Sequence, residues 1–185
     1  GSASLANVAL ANNNQFGGTS ANARNYIAGN NGTVNGISLT GTTFFGGSST
    51  GDNVVQGNCI GTNSDCEVEA GFGVGVGLIV GFDTFNNVIG GTTNGAGNTI
   101  AGNREGITVL SLSSGGGFHP LNNSILGNSI YSNDGGLVSG IINLEGIGID
   151  LLETPNFGSF PELGVTANDA SDTDAGPNDY LNFPV

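Results

Sequence analysis

Asn87-Val88-Ile89-Gly90-Gly91-Thr92-Thr93-Asn94-Gly95-Ala96-Gly97-Asn98-Thr99-Ile100-Ala101-Gly102-Asn103 holds two short apolar runs, each bracketed by Asn and Gly. Residues 14–30 repeat it. Slid by 73 positions, ten of seventeen places are identical: Asn14, Gly17, Gly18, Thr19, Ala23, Asn25, Ile27, Ala28, Gly29 and Asn30. A second pair of stretches, Asn53–Asn63 and Asn123–Asn133, lies 70 positions apart and shares Asn53, Gly57, Asn58, Ile60 and Asn63 with its partner. A fixed period of this kind marks a repeat protein, and it outranks local propensity. The sequence therefore predicts a unit of about 70 residues, present twice, in two sub-patterns.

Four stretches of the type Gly-apolar-x-apolar recur between these copies: Gly36-Ile37-Ser38-Leu39, Gly75-Val76-Gly77-Leu78, Gly106-Ile107-Thr108-Val109 and Gly148-Ile149-Asp150-Leu151. Alternation of this kind reads as a strand with one face buried. With Ile37, Val76, Ile107 and Ile149 taken as equivalent, the separations are 39, 31 and 42 residues, and each interval holds three short strands. Short strands, Asn/Gly corners and no helical period predict a parallel β-solenoid. Successive rungs of such a stack lie about 4.8 Å apart. Each strand bonds to its equivalents above and below, so the backbone is satisfied without hairpins. Ile27, Val55, Ile60, Ile89, Ile100, Ile125 and Ile130 are the expected inward column. Corner asparagines Asn30, Asn58, Asn103 and Asn128 are expected to stack into an amide ladder. Their role, and that of the corner glycines, is structural.

Composition agrees with a packed β-rich chain. Glycine fills 35 of 185 positions, yet 37% of residues are hydrophobic and recur regularly, which argues against disorder. The net charge is −13, with Arg24 and Arg104 the whole basic complement. That excludes nucleic-acid binding, which needs a basic surface, and disfavours an anionic membrane surface. No apolar run is long enough to span a bilayer, so membrane insertion is not expected. Cys59 and Cys66 flank a turn-rich stretch, and a disulfide between them fits an extracellular protein.

The stretches 53–63 and 87–103 resemble right-handed parallel β-helix repeats of bacterial surface and secreted proteins. The resemblance covers residues 14–151 and touches the tail at Asp172–Asn178 and Asn182–Val185. It implies an all-β, right-handed parallel β-helix of about four to five coils. Residues 1–151 are then the repeats. Residues 152–185, rich in proline and acid, are an irregular cap or connector to another module.

The same fold includes polysaccharide lyases, pectin hydrolases and phage tailspike glycosidases, so the resemblance also admits an enzyme. Pectin hydrolases use close aspartates, and lyases use a Lys or Arg base with Ca²⁺ held by acids. Here there is no Lys, and Arg24 and Arg104 fall in separate copies. Asp52, Asp83, Glu105 and Asp134 are isolated in the sequence. Asp150, alternating with Ile149 and Leu151, is expected to point outward. Asp65, Glu67 and Glu69 cluster in a loop read as a solvated protrusion, and His119 reads as an exposed loop residue. The one candidate metal site is in the tail. Asp169, Asp172, Asp174, Asn178 and Asp179 surround Gly176 with the alternating acids of an incomplete calcium loop. Asn31-Gly32-Thr33 and Asn122-Asn123-Ser124 match glycosylation sequons.

The sequence thus points to a non-enzymatic extracellular rod, adhesin or fibre subunit, with itself or further domains of a longer chain as partner. No amphipathic capping helix is visible in residues 1–13, so either excision from a longer chain or end-to-end stacking is expected. The competing expectation is a polysaccharide-binding or polysaccharide-cleaving protein, with Phe44, Phe45, Phe72, Phe82, Phe85, Phe118 and Tyr131 as the available stacking aromatics. Ice binding would need regular Thr-x-Thr rows, which are not found.

Overall fold

Val, Ile and Thr suit a pleated surface, and here Gly or Asn interrupts them every few residues. The result is a series of strands too short to stand alone. The computed structural model describes residues 4–9, 11–29, 34–41, 49–112, 118–134, 136–138, 142–144, 146 and 148–154. Among these, one 3-10 turn at Ala21–Ala23 is the sole helical element.

The strands come in recurring passages. The first gives β1 (Ser4–Ala9), β2 (Gln15–Gly17) and β3 (Tyr26–Ile27). The second gives β4 (Asn35–Thr40), β5 (Thr50–Gly51), β6 (Val54–Gln56) and β7 (Cys59–Ile60). The third gives β8 (Val76–Gly81), β9 (Thr84–Phe85), β10 (Val88–Gly90) and β11 (Thr99–Ala101). The fourth gives β12 (Glu105–Leu112), β13 (Ser124–Leu126) and β14 (Ser129–Tyr131), followed by the antiparallel pair β15 (Gly136–Val138) and β16 (Ile142–Leu144). β17 (Ile149–Thr154) begins a fifth.

Each of the first four passages places one strand in each of three parallel sheets, always in chain order. The first sheet runs β1-β4-β8-β12-β17, the second β2-β6-β10-β13 and the third β3-β7-β11-β14. A shorter ladder pairs β5 with β9, and Phe85 with Leu121. The protein is all-β with parallel sheets. Pairing of β17 with β12 continues to Thr154, past the residue-151 boundary read from the sequence.

Register turns these sheets into columns of like side chains. Phe16, Val55, Ile89 and Ile125 are successive partners in the second sheet. Ile27, Ile60, Ile100 and Ile130 are successive partners in the third. Val55, Ile60, Ile89 and Ile100 are fully buried in one core cluster with Ile37, Leu39, Leu78, Val80, Ile107 and Val109. Burial of each such side chain is worth roughly 1.5–3 kcal/mol.

The register of the third passage differs from the one that the sequence suggests. Ile37 pairs with Leu78, not Val76, and Leu78 with Ile107; Val76 pairs with Glu105. Gly75-Val76 and Gly77-Leu78 carry the same pattern, and the second is the one in register. Part of the first sheet's outward face is also buried: Ser38, Thr108 and Asp150 alternate with core residues yet are themselves buried, whereas Asn7 and Ala9 of β1 are exposed.

The matched stretches 14–30 and 87–103 are not neighbours. β6 lies between β2 and β10, and β10 lies between β6 and β13. Similarity skips a passage because long and short corners alternate. Between the second and third sheets, the first and third passages use long corners after Gly17 and Gly90, while the second and fourth turn at Gly57 and Gly127. The long corners close over the short one. A Cβ on Gly57 would strike the carbonyl oxygens of Gly18 and Gly95, and its φ of +66° disfavours any side chain. Gly57→Ala is expected to cost about 2 kcal/mol or more. Gly71→Ala, at φ +91° with open space around it, should lose only about 1 kcal/mol. Urea unfolding of both variants checks this.

Asparagine carboxamides bind the passages together. Asn14 Nδ2 donates to Asn53 Oδ1 (2.9 Å), Asn53 to Asn87 (2.9 Å) and Asn87 to Asn123 (2.8 Å). A second column runs Asn25, Asn58, Asn98, Asn128 with 3.0, 3.0 and 2.8 Å links. In a third place, Asn103 N–H donates to Asn133 Oδ1 (3.1 Å) and Val74 N–H to Asn103 Oδ1 (3.1 Å). The sequence-derived set is therefore redistributed. Asn58 and Asn128 share a column with Asn98 between them, and Asn103 belongs elsewhere. Asn30 lies outside the described residues.

Candidate functional site

The segment between β7 and β8 leaves the third sheet and doubles back over its outer face. Asn63 shapes it: its Oδ1 accepts the N–H groups of Asp65 and Glu67 at 3.0 Å each, and its Nδ2 donates to Glu69 Oε2 at 3.1 Å. A disulfide joins Cys59 to Cys66. Arg24, from the first passage, donates through Nε to Gly57 O (3.0 Å) and through Nη1 to Cys66 Sγ (3.4 Å). Gly29 N–H donates to Phe72 O (2.9 Å), and Val68 packs beside Gly102 of the third passage. Tyr131 Oη, from the fourth, reaches Cys66 O at 3.5 Å. The acids of this loop are exposed as the sequence implies, but the loop is a strap touching all four passages.

Beside the strap lies an open groove of about 450 Å³. Its lining includes Val68, Glu69, Val74, Arg104 and Asp134, so two carboxylates and one guanidinium are among the groups that border it. Reduction of the disulfide, or Cys66→Ser, is expected to cost about 2 kcal/mol by releasing a short loop. It should also raise proteolytic cleavage within residues 61–74, read by mass spectrometry.

Two acids that look isolated in the sequence meet inside the first sheet. Asp150 is the strand partner of Thr108, and Thr108 Oγ1 donates to Glu105 Oε1 at 2.6 Å. Glu105 and Asp150 are both buried. Asp150 lies on the face opposite the core, as its alternation with Ile149 and Leu151 implies, but it is shielded from water there. Burial pushes the Glu105 carboxyl up to about 7; the Thr108 hydrogen bond opposes the shift, and the Asp150 carboxylate adds to it. Glu105 is 2% exposed, which leaves no path for a substrate.

The remaining candidates scatter. His119 is half-buried rather than exposed, and its Nδ1 has no hydrogen-bond partner among the described residues. Asp52 accepts from Asn86 Nδ2 at 3.3 Å on the surface. Phe72, Phe82, Phe85 and Phe118 are half-buried, whereas Tyr26 and Tyr131 are exposed. The outer row of the third sheet reads Tyr26, Cys59, Thr99, Ser129, which is not a threonine row. Among the described residues, no three His, Cys, Asp or Glu side chains converge to hold a metal, and no helix is long and apolar enough to cross a membrane. The calcium candidates Asp169, Asp172, Asp174, Asn178 and Asp179 lie outside the described residues, as do Phe44, Phe45 and Asn31. The groove was not foreseen, since it joins Glu69 to Arg104 and Asp134 across passages. No family model, curated protein or solved structure matches the chain.

Proposed function

We propose that the three sheets are the faces of a right-handed parallel β-helix, and that the chain is a non-enzymatic structural module of an extracellular or surface-attached bacterial protein. The observation that carries this reading is the unbroken chain order of all three sheets, reinforced by two asparagine columns. Such a stack is stiff along one axis, the mechanical property a rod, adhesin stalk or fibre subunit needs. The Cys59–Cys66 disulfide is compatible with an oxidising compartment. Partners are further domains of a longer chain or another copy added at sheet edges. Small-angle scattering tests the shape, with an elongated particle expected and a sphere of the same mass overturning the reading. Sedimentation over a wide concentration range tests self-association, and a single monomeric species throughout removes it.

The strap groove favours a second reading, recognition of a glycan. Glu69, Arg104 and Asp134 line an open trough, and polar lining of this kind is what a hydroxyl-rich ligand needs. A glycan array followed by Arg104→Ala and Asp134→Asn decides it. Binding that both variants leave unchanged rejects the groove as the site.

A further inference from the structure

In the two asparagine columns both the carboxamide and the backbone nitrogen that follows it are occupied. Val54 N–H donates to Asn14 O (2.8 Å), Val88 N–H to Asn53 O (2.8 Å), Cys59 N–H to Asn25 O (2.9 Å) and Thr99 N–H to Asn58 O (2.8 Å). The nitrogen after an asparagine is the backbone atom placed to attack that side chain's amide carbon and close a five-membered ring. Sheet pairing therefore shields the column asparagines from their own chemistry.

Asn94 lacks this shield. It is exposed on the long corner between β10 and β11. Ala96 N–H donates to Thr93 O at 3.0 Å, which closes a turn with Asn94 and Gly95 at its centre. Gly95 has a φ of +81°, as the third position of a type II turn requires. The turn's own bond leaves out the Gly95 N–H. Among the described residues, neither that N–H nor the Asn94 carboxamide is hydrogen-bonded. Glycine also brings no Cβ to obstruct the approach of its nitrogen.

We propose that Asn94 is a site of spontaneous deamidation, with water as the co-reactant. Gly95 N loses its proton and bonds to Asn94 Cγ. The Cγ–Nδ2 bond breaks, ammonia carries the proton away, and a cyclic imide remains. Water then opens the imide. Attack at Cγ gives aspartate, and attack at the main-chain carbonyl carbon gives isoaspartate. Both products put a further negative charge on a chain of net charge −13. Isoaspartate also lengthens the backbone by a methylene, close to where Gly57 N–H donates to Ala96 O at 3.0 Å.

The same dipeptide occurs at Asn35-Gly36. Asn35 is 7% exposed, its Oδ1 accepts Val76 N–H at 3.0 Å, and it lies in β4 between β1 and β8. Residue chemistry treats the two pairs alike, so the fold selects Asn94. The third pair, Asn31-Gly32, lies outside the described residues.

Incubation of the full chain at mildly alkaline pH, folded and in concentrated urea, tests this. Peptide mass spectrometry follows the amide-to-acid mass gain at residues 94 and 35, and the folded rate of each is divided by its rate in urea. The ratio for Asn94 should be at least about tenfold higher than that for Asn35, which must wait for β4 to open. A ratio for Asn94 as low as that for Asn35 overturns the proposal. Asn94→Gln, whose longer side chain closes a ring far less readily, should abolish the gain. It should also leave the urea midpoint of fresh protein unchanged. A mass gain in this corner that survives Asn94→Gln belongs to another residue and overturns the proposal. Labelling of the corner peptide by an isoaspartate-specific methyltransferase, absent from Asn94→Gln, is the expected mark of the second product.

Discussion

Asn98→Ala is expected to destabilise the protein by about 4 kcal/mol. Asn98 is 1% exposed and sits in the middle of its column. Its Oδ1 accepts Asn58 N–H and Asn58 Nδ2, both at 3.0 Å. Its Nδ2 donates to Val55 O and Asn128 Oδ1, both at 2.8 Å. Alanine removes four bonds at once and leaves buried partners stranded, each at roughly 1–3 kcal/mol. Asn98→Asp keeps the acceptors, loses both donors and buries a charge, so it should fare no better. Asn94→Ala, on the exposed tip of the same corner, should stay within about 0.5 kcal/mol of the parent. Equal urea midpoints for the two alanine variants would show that the column is ornamental.

The second large effect is a fall in stability with rising pH. Glu105 titrates near 7 in the folded chain, against an ordinary value of 4.5. Below about pH 4.5 the carboxyl is protonated in both states and costs nothing. Between there and about 7 the folded state keeps a proton that the unfolded chain releases, so stability declines as pH rises. Above about pH 7 the loss is complete, at about 3 kcal/mol. Asp150 is the charge that adds to the shift, and Thr108 is the hydrogen-bond donor. Glu105→Gln should flatten this part of the profile and be more stable than the parent at about pH 8. Unfolding curves across this range check it; an unchanged slope in the Gln variant would mean that Glu105 does not carry the dependence.

The aliphatic columns were legible in the sequence because Ile27, Ile60, Ile100 and Ile130 each precede a Gly or Asn corner by a nearly fixed distance. A pleated strand allows only one face for them once a neighbour is buried. The ladder membership was harder to see. Long corners at Gly17 and Gly90 resemble one another more than either resembles the tight turn at Gly57, so identity linked alternate passages and hid the adjacent ones. The third-passage register slipped because Val76 and Leu78 follow identical glycines and only packing separates them. The face of Asp150 is legible from its alternation, but its burial is not, because a single sequence does not reveal how well the far side of a sheet is shielded. The groove, assembled from Glu69, Arg104 and Asp134, has no local signature at all.

The direction of the carboxamide bonds bears on how the molecule is made. When Asn98 takes its place, its oxygen meets donors on Asn58 and its Nδ2 meets Val55, all of them earlier in the chain. Asn58 looks back to Phe16 and Asn128 to Ile89 in the same way. Each new passage thus finds part of its bonding partners already in place behind it, and the bonds from Asn98 to Asn128 are added when the next passage arrives. Folding can advance at the pace of synthesis or export, one short loop closure at a time, without exposing a long unpaired stretch.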